Sequence, residues 1–131
     1  MATDVTNGED LYRLLQETYF DSIDGADAET AVTALHEDVE WVHRQVWEHD
    51  GHSSEEVDVY HGRDAVFEFL DPRIGEMQEE GIEHKIREAI CEGERGAFLA
   101  EVVGADGSTL PFFGWVELTD GLVSKYTVTP K

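Results

Sequence analysis

The chain reads as an α+β protein with helices in its first half and an antiparallel sheet in its second. Three observations carry this. Apolar side chains recur at helical spacing between residues 8 and 24 and again after Gly62. From Ile82 onward the apolar period shortens to that of a strand. Asp106-Gly107 and Asp120-Gly121 then divide that half at tight-turn dipeptides. At 131 residues and 40% hydrophobic content, one folded domain over 1–131 is expected, with length for a single core.

The elements follow in order. Leu11, Leu14, Leu15, Tyr19 and Ile23 mark the buried face of a helix over 8–24. Asp24-Gly25-Ala26-Asp27 stops it, and Asp27 is placed to cap a second helix over 28–35. His36-Glu37-Asp38 makes a tight exit into a strand over 39–43. Residues 44–58 are rich in His, Asp, Gly, Ser and Glu and read as a loop or lid, with Trp47 at least partly covered. A third helix starts after Gly62 and carries Val66, Phe67, Phe69, Leu70, Ile74 and Met77 on its apolar positions. Pro72 should kink it or split it at Asp71. Ile82, His84, Ile86, Glu88 and Ile90 then alternate with Glu83, Lys85, Arg87 and Ala89 along a strand. A turn over 92–96 leads to strands over 97–103, 110–118 and 122–128, which form a meander.

This order, with Val39-Glu40-Trp41-Val42-His43 as first strand and His61-Gly62-Arg63-Asp64 opening the third helix, resembles the nuclear transport factor 2-like superfamily. That group includes ketosteroid isomerase, scytalone dehydratase and SnoaL-like polyketide cyclases. The resemblance covers nearly the whole chain. It implies a cone-shaped, curved, mostly antiparallel sheet wrapped around the helices, in the cystatin-like arrangement. It also implies one deep pocket bordered by the first strand and the third helix. The scaffold hosts enzymes and non-enzymes alike.

Strand parity puts Val39, Trp41 and His43 on one face and Glu40 and Val42 on the other. The likeness to ketosteroid isomerase places His43 where that family has its aspartate base, and Tyr19 where it has its oxyanion-hole tyrosine. The position of its protonated carboxylic acid falls on Phe113, two residues after Pro111, which removes half of the oxyanion hole. The resemblance thus implies His43 and Tyr19 as a catalytic dyad, with Trp41, Phe67, Phe98, Phe113 and Trp115 lining an apolar pocket. Imidazole suits the task, since its ordinary pKa near 6.5 needs little tuning to act as a base at neutral pH. A histidine satisfied by a backbone carbonyl and a tyrosine that fills the core are the competing accounts. Two functions stay open: a cofactor-free isomerase, dehydratase, cyclase or hydrolase working by proton abstraction, or a non-catalytic ligand-binding or dimerisation module. His43, His49, His52 and His61 crowd one region, but His49-Asp50-Gly51-His52 lacks the helical spacing of zinc-binding pairs, so no metal is expected. Arg63 is read as structural. Glu101 and Glu117 lie in strands, and either could reach the pocket mouth. Cys91 is the lone cysteine, which excludes an intrachain disulfide and suits a small buried position.

Thirty acidic against nine basic residues give a formal net charge of −21, spread along the whole chain rather than gathered in a tail (Lys+Arg 9, Asp+Glu 30). With no basic stripe to neutralise phosphates, nucleic acid is not an expected partner. No apolar run reaches membrane-spanning length and the N-terminus is polar and acidic, so a cytoplasmic protein without membrane association is expected. The distribution of acidic residues resembles that of proteins from salt-accumulating haloarchaea. Strand 110–118 is apolar on both faces, Phe113 and Trp115 on one and Phe112, Val116 and Leu118 on the other. A strand covered on both sides needs a second cover. A homodimer through the sheet, with Phe112 and Val116 at or near the interface, would supply it.

Like charges at this density repel one another unless salt screens them. The Debye length is about 3 Å at 1 M salt and about 30 Å at 0.01 M. The melting temperature should therefore fall as salt is lowered from molar to tens of millimolar. A melting temperature that stays level across that range rejects the salt-adapted reading.

Overall fold

The computed structural model describes residues 7–44, 57–79 and 81–130, apart from the side chains at 76 and 77. The lid residues Trp47, His49 and His52 lie outside the described residues, as does the side chain of Met77.

The Asn7 side chain starts the first helix by accepting a hydrogen bond from the Asp10 N–H at 2.9 Å. Helix α1 (Gly8–Tyr12) runs through a π-helical stretch, Arg13–Phe20, into α2 (Asp21–Asp24). Together they fill the single helix expected over 8–24. The wider winding of the middle stretch turns Leu15, Gln16, Tyr19 and Phe20 all toward the core. Gln16 is the buried polar side chain of that face. Its Oε1 accepts from the Ile86 N–H at 2.6 Å, while Nε2 donates to the His84 carbonyl at 2.8 Å and to Asp21 at 2.9 Å. Asp27 caps α3 (Ala28–Ala31) as expected, accepting from the Thr30 N–H at 3.1 Å.

Strand β1 (Leu35–Arg44) begins earlier than the expected 39–43 and takes in His36-Glu37-Asp38. An irregularity in its pairing between Leu35 and Glu40 accommodates those polar residues. The end of the expected loop is a strand, β2 (Val57–His61), paired antiparallel with β1 at the sheet edge. Its valines are exposed, so it lacks the burial signature by which the interior strands announce themselves. Gly62, at φ +91°, makes the turn into α4 (Arg63–Glu79), and its N–H donates to the Val39 carbonyl at 2.7 Å. Helix α4 runs through Pro72 without splitting. Val66, Leu70 and Ile74, all buried, anchor it on both sides of the proline.

Strands β3 (Glu83–Glu92), β4 (Arg95–Val103), β5 (Thr109–Thr119) and β6 (Leu122–Pro130) complete a six-stranded sheet of order β2-β1-β6-β5-β4-β3. Among the described residues only β1 and β6 pair in parallel, so the sheet is mostly antiparallel as expected. Asp120 and Gly121 both take positive φ, 54° and 76°, as a tight hairpin turn requires. No helix among the described residues is long and apolar enough to cross a membrane.

Two expectations about sheet faces are corrected. A register shift between Ile86 and Glu88 inverts the parity of β3. Ile90 consequently faces outward at 63% exposure, while Ala89 and the half-buried Cys91 pack against the core. In β5 the alternation is real but the faces are reversed. Phe112 and Val116, expected at a dimer interface, are 1% and 0% exposed inside the core. Phe113 and Trp115, expected to line the pocket, stand outside at 43% and 44% exposure. The cause is Gly114, which pairs with Phe98 across β4 and β5. A side chain on residue 114 would collide with the Phe98 ring, so the glycine face must be the inner one.

Candidate functional site

The inner face of β1 carries a stack of rings set by strand register. Trp41 lies opposite Tyr126 in the parallel pairing, and their rings stack at 5.8 Å between centroids. His43, two residues on, stacks on the other side of Trp41 at 5.1 Å. Tyr19 reaches the stack from the π-helical stretch, where its hydroxyl accepts from the Trp41 indole N–H at 3.1 Å and also hydrogen-bonds Tyr126. Burial pushes the Tyr19 phenol up despite those two bonds, and it pushes Tyr126 up as well. Both phenols therefore stay neutral at any ordinary pH. Tyr19 and His43 do share one neighbourhood, but Trp41 stands between them.

Beyond the stack lies a charged cluster that the sequence reading did not assemble. Register pairs His43 with Asp58 of β2, and Nδ1 lies 3.7 Å from the carboxylate. That separation is electrostatic contact rather than a hydrogen bond. Arg73 of α4 approaches the same carboxylate at 3.6 Å, with its guanidinium 4.4 Å above the Phe69 ring. Tyr60 and Phe69 close the group around Trp41. His43 Nδ1 and Arg73 Nη2 are buried without a hydrogen-bond partner. Orphaned polar atoms of this kind cost about 1–3 kcal/mol each, and a native protein retains them for a reason. Burial holds the His43 imidazole below its usual pKa. Asp58 pulls it back only in part, and Arg73 and His84 oppose protonation further. His43 is thus a neutral, proton-accepting imidazole at neutral pH.

A second histidine–carboxylate pair lies on β3, at the opposite edge of the sheet. Asp24, at the end of α2, accepts from the His84 backbone N–H at 2.8 Å with one oxygen and meets His84 Nδ1 at 2.6 Å with the other. The His84 ring stacks on Phe20 at 5.3 Å and meets Phe112 edge-on at 6.2 Å. His84 is the neighbour of Ile82 and Ile86 in the alternating run, so its inward face was readable. Asp24 was read only as a helix stop, and nothing in its spacing links it to residue 84.

Of the expected lining residues, Trp41 and Phe98 are buried in the interior. Phe67 is half-buried and packs at the edge of the core, and the α4 ring that meets His43, at 6.4 Å, is Phe69. Phe113 and Trp115 are on the outside, as described above. Glu101 and Glu117 both lie on that outer face too, Glu101 bonded to Arg87 at 3.0 Å and Glu117 3.9 Å from Lys125. Neither reaches the interior.

The depressed His43 pKa makes a testable statement about stability. The unfolded chain takes up a proton near pH 6.5, and the folded chain does so only at lower pH. The stability contributed by neutral His43 is complete above that value and is lost as pH falls from it toward the folded pKa. Between pH 8 and pH 5, His43→Gln should therefore gain stability relative to the parent protein, measured by denaturant unfolding at fixed salt. A constant difference between the two proteins across that range contradicts this account.

Comparison with known proteins agrees with the geometry. Among curated proteins, none matches the sequence. A structure of a proposed ketosteroid isomerase from Kribbella flavida superposes with a TM-score of 0.64 at 22% identity, covering 95% of this chain and 79% of that one. An epoxide hydrolase of the LEH-like type from M. tuberculosis gives 0.64 at 18% identity, over 95% of this chain and 84% of the other. A proposed polyketide cyclase from Sinorhizobium meliloti gives 0.60 at 16% identity, over 86% and 90%. At these identities the likeness shows the fold, which is of the nuclear transport factor 2-like type. The SnoaL-like domain model matches residues 17–126, and the chain accordingly belongs to the SnoaL-like domain family.

Proposed function

We propose that this chain binds a small apolar molecule inside the cone and removes a proton from it with His43, without a cofactor. The observation that carries this reading is the state of His43. Its imidazole is neutral, stacked on Trp41, and backed by Asp58 on the Nδ1 side, which leaves Nε2 to take the proton. Isomerisation, dehydration and cyclisation can all begin from such a step, and hydrolysis can begin with the same base taking a proton from an attacking water. The names carried by the similar structures, an isomerase, a hydrolase and a cyclase, agree with that range. Tyr19 acts through the ring stack, fixing Trp41 and through it His43, since its own hydroxyl is already engaged.

A second reading, a binding module without catalysis, is favoured by one observation. The oxyanion-hole arrangement implied by the ketosteroid isomerase resemblance lacks its acid at Phe113, whose ring faces away from the interior. 2-Tetralone, an apolar ketone with acidic α-hydrogens, separates the two. In D2O the protein should speed exchange of those hydrogens above the buffer rate. His43→Ala should lose about a hundredfold of that acceleration, the order expected for a general base, and His43→Asp should recover part of it. Equal rates for His43→Ala and the parent protein refute His43 as the base. Binding of 2-naphthol without any exchange leaves the binding module.

The same proposal includes a homodimer, formed by the outer face rather than by the residues first expected. Leu99 lies opposite Phe113, and Ala97 lies between Ile90 and Trp115, so exposed apolar side chains form adjoining rows across β3, β4 and β5. On a chain of net charge −21, an apolar patch whose bordering acids, Glu101 and Glu117, are paired with Arg87 and Lys125 is a surface on which a second copy can settle with little repulsion. We assign the protein to the cytoplasm of a salt-accumulating organism, where molar salt screens the remaining charge. Light scattering at molar salt and micromolar protein should give a dimer, and Trp115→Glu should give a monomer with unchanged circular dichroism. A monomeric parent protein refutes the interface.

A further inference from the structure

We propose that Arg73 is a positioning residue of the His43 site, holding the Asp58 carboxylate so that Asp58 steadies His43 without drawing it into an ion pair. This deepens the proton-abstraction reading and rests on it. It names the residue that sets the pH range over which the base is ready.

One oxygen atom serves two neighbours. Asp58 Oδ2 lies 3.6 Å from Arg73 Nη1 and 3.7 Å from His43 Nδ1, so the arginine and the histidine face the same acceptor. Arg73 carries its charge at every ordinary pH, whereas His43 carries one only when protonated. The carboxylate is thus already neutralised by a permanent cation. A proton added to His43 meets a closed ion pair rather than a lone negative charge. The arrangement is held from two directions. The guanidinium lies 4.4 Å above the Phe69 ring, and strand pairing sets Asp58 opposite His43 across β1 and β2.

Burial separates Arg73 from the other paired cations among the described residues. Its side chain is 14% exposed, against 43% or more for Arg13, Lys85, Arg87 and Lys125. Salt screens those surface pairs and hardly touches this one. Among the described residues the buried side-chain atoms without a hydrogen-bond partner are Arg73 Nη2 and His43 Nδ1, and both belong to the two groups that share Asp58. An arginine kept for stability alone gains nothing from an unpaired buried N–H, which costs about 1–3 kcal/mol. The remaining groups around His43 do not relieve the contest. His84 on β3 also opposes a charge there, and the phenols of Tyr19 and Tyr126 stay neutral. Removing the Arg73 charge leaves Asp58 free to stabilise the imidazolium.

The test follows His43 itself, in the whole chain at molar salt with ¹⁵N-labelled histidine, its signals assigned with His43→Gln. In the parent protein His43 should titrate below the ordinary value near 6.5. Arg73→Gln should raise that midpoint and Asp58→Asn should lower it, while Arg73→Lys, which keeps the charge, should stay near the parent. Opposite shifts mark competition for one carboxylate, since lost packing has no reason to give them opposite signs. In the 2-tetralone exchange, the acid limb of the rate profile should move to higher pH in Arg73→Gln, with the rate above that limb within about threefold of the parent's. Arg73→Met, which keeps the stem against Phe69, serves the same comparison if Arg73→Gln does not fold. A midpoint that stays at the parental value without the Arg73 charge, or falls as with Asp58→Asn, refutes the inference and leaves the His43 reading standing. So does a shift in Arg73→Lys as large as in Arg73→Gln. A parental midpoint at or above 6.5 refutes it without any variant. If His43→Ala exchanges 2-tetralone at the parental rate, the base reading falls, and the part of Arg73 in it falls too, whatever the titration shows.

Discussion

Trp41 meets Tyr126 across the parallel pairing of β1 with β6, and through that contact the first third of the chain is joined to the last. Closing so long a loop costs conformational entropy that local contacts cannot repay. The ring stack, the Trp41–Tyr19 bond and the buried valines around it repay it together. Everything proposed for the interior hangs on this seam. It sets the height of His43 on the inner face, and β2 then adds to β1 and brings Asp58 opposite. On the far side Gln16 performs the matching task. Two of its three hydrogen bonds, to the Ile86 N–H and the His84 carbonyl, hold the π-helical stretch against β3, and the third ties it to Asp21.

Periodicity made the helices legible in the sequence, and turn dipeptides did the same for the hairpins. Which face of a strand goes inward was harder to read. In β5 the two faces offer equally large side chains, so hydrophobicity cannot choose between Phe112 with Val116 and Phe113 with Trp115. The deciding residue is Gly114, present in the sequence as the one small residue in an aromatic run. A glycine inside a strand often marks a close approach by another group, and here that group is the Phe98 ring. The bulge in β3 had no such marker, which is why Ile90 was placed on the wrong face. Edge strand β2 hid because it is half polar and follows a polar loop. Of the residues expected at the site, the interior positions of His43, Tyr19, Trp41 and Phe98 were legible from strand parity and the family resemblance. Asp58, Arg73 and Asp24 were not, because each meets its histidine only through tertiary structure.

The charge of the chain and the polarity of its interior follow opposite rules. Acidic residues on the surface are numerous, dispersed and mostly exposed, and their effect is collective and salt-dependent. Inside, the polar groups are few and each has a specific neighbour. Screening does not reach them, so their protonation is decided by burial and by the nearest one or two charges. The protonation of the interior groups therefore depends little on the ionic strength that governs the surface.

The similar structures carry the names of an isomerase, an epoxide hydrolase and a cyclase on one architecture at low identity. The scaffold therefore fixes positions, and the residues that occupy them fix the chemistry. In this chain the far ends of the inner face hold two histidines, His43 on β1 and His84 on β3. Burial has been accepted there at the expense of orphaned polar atoms on His43 and Arg73, which a purely structural core would replace with methyl groups. Meanwhile the fully satisfied polar residue, Gln16, is the one that ties helix to strand. The unpaired polar atoms, His43 Nδ1 and Arg73 Nη2, both lie around Asp58, whereas the Asp24–His84 pair is satisfied. That division separates the His43 end of the interior, with its unpaired atoms, from the Tyr19 hydroxyl, whose partners Trp41 and Tyr126 are already in place.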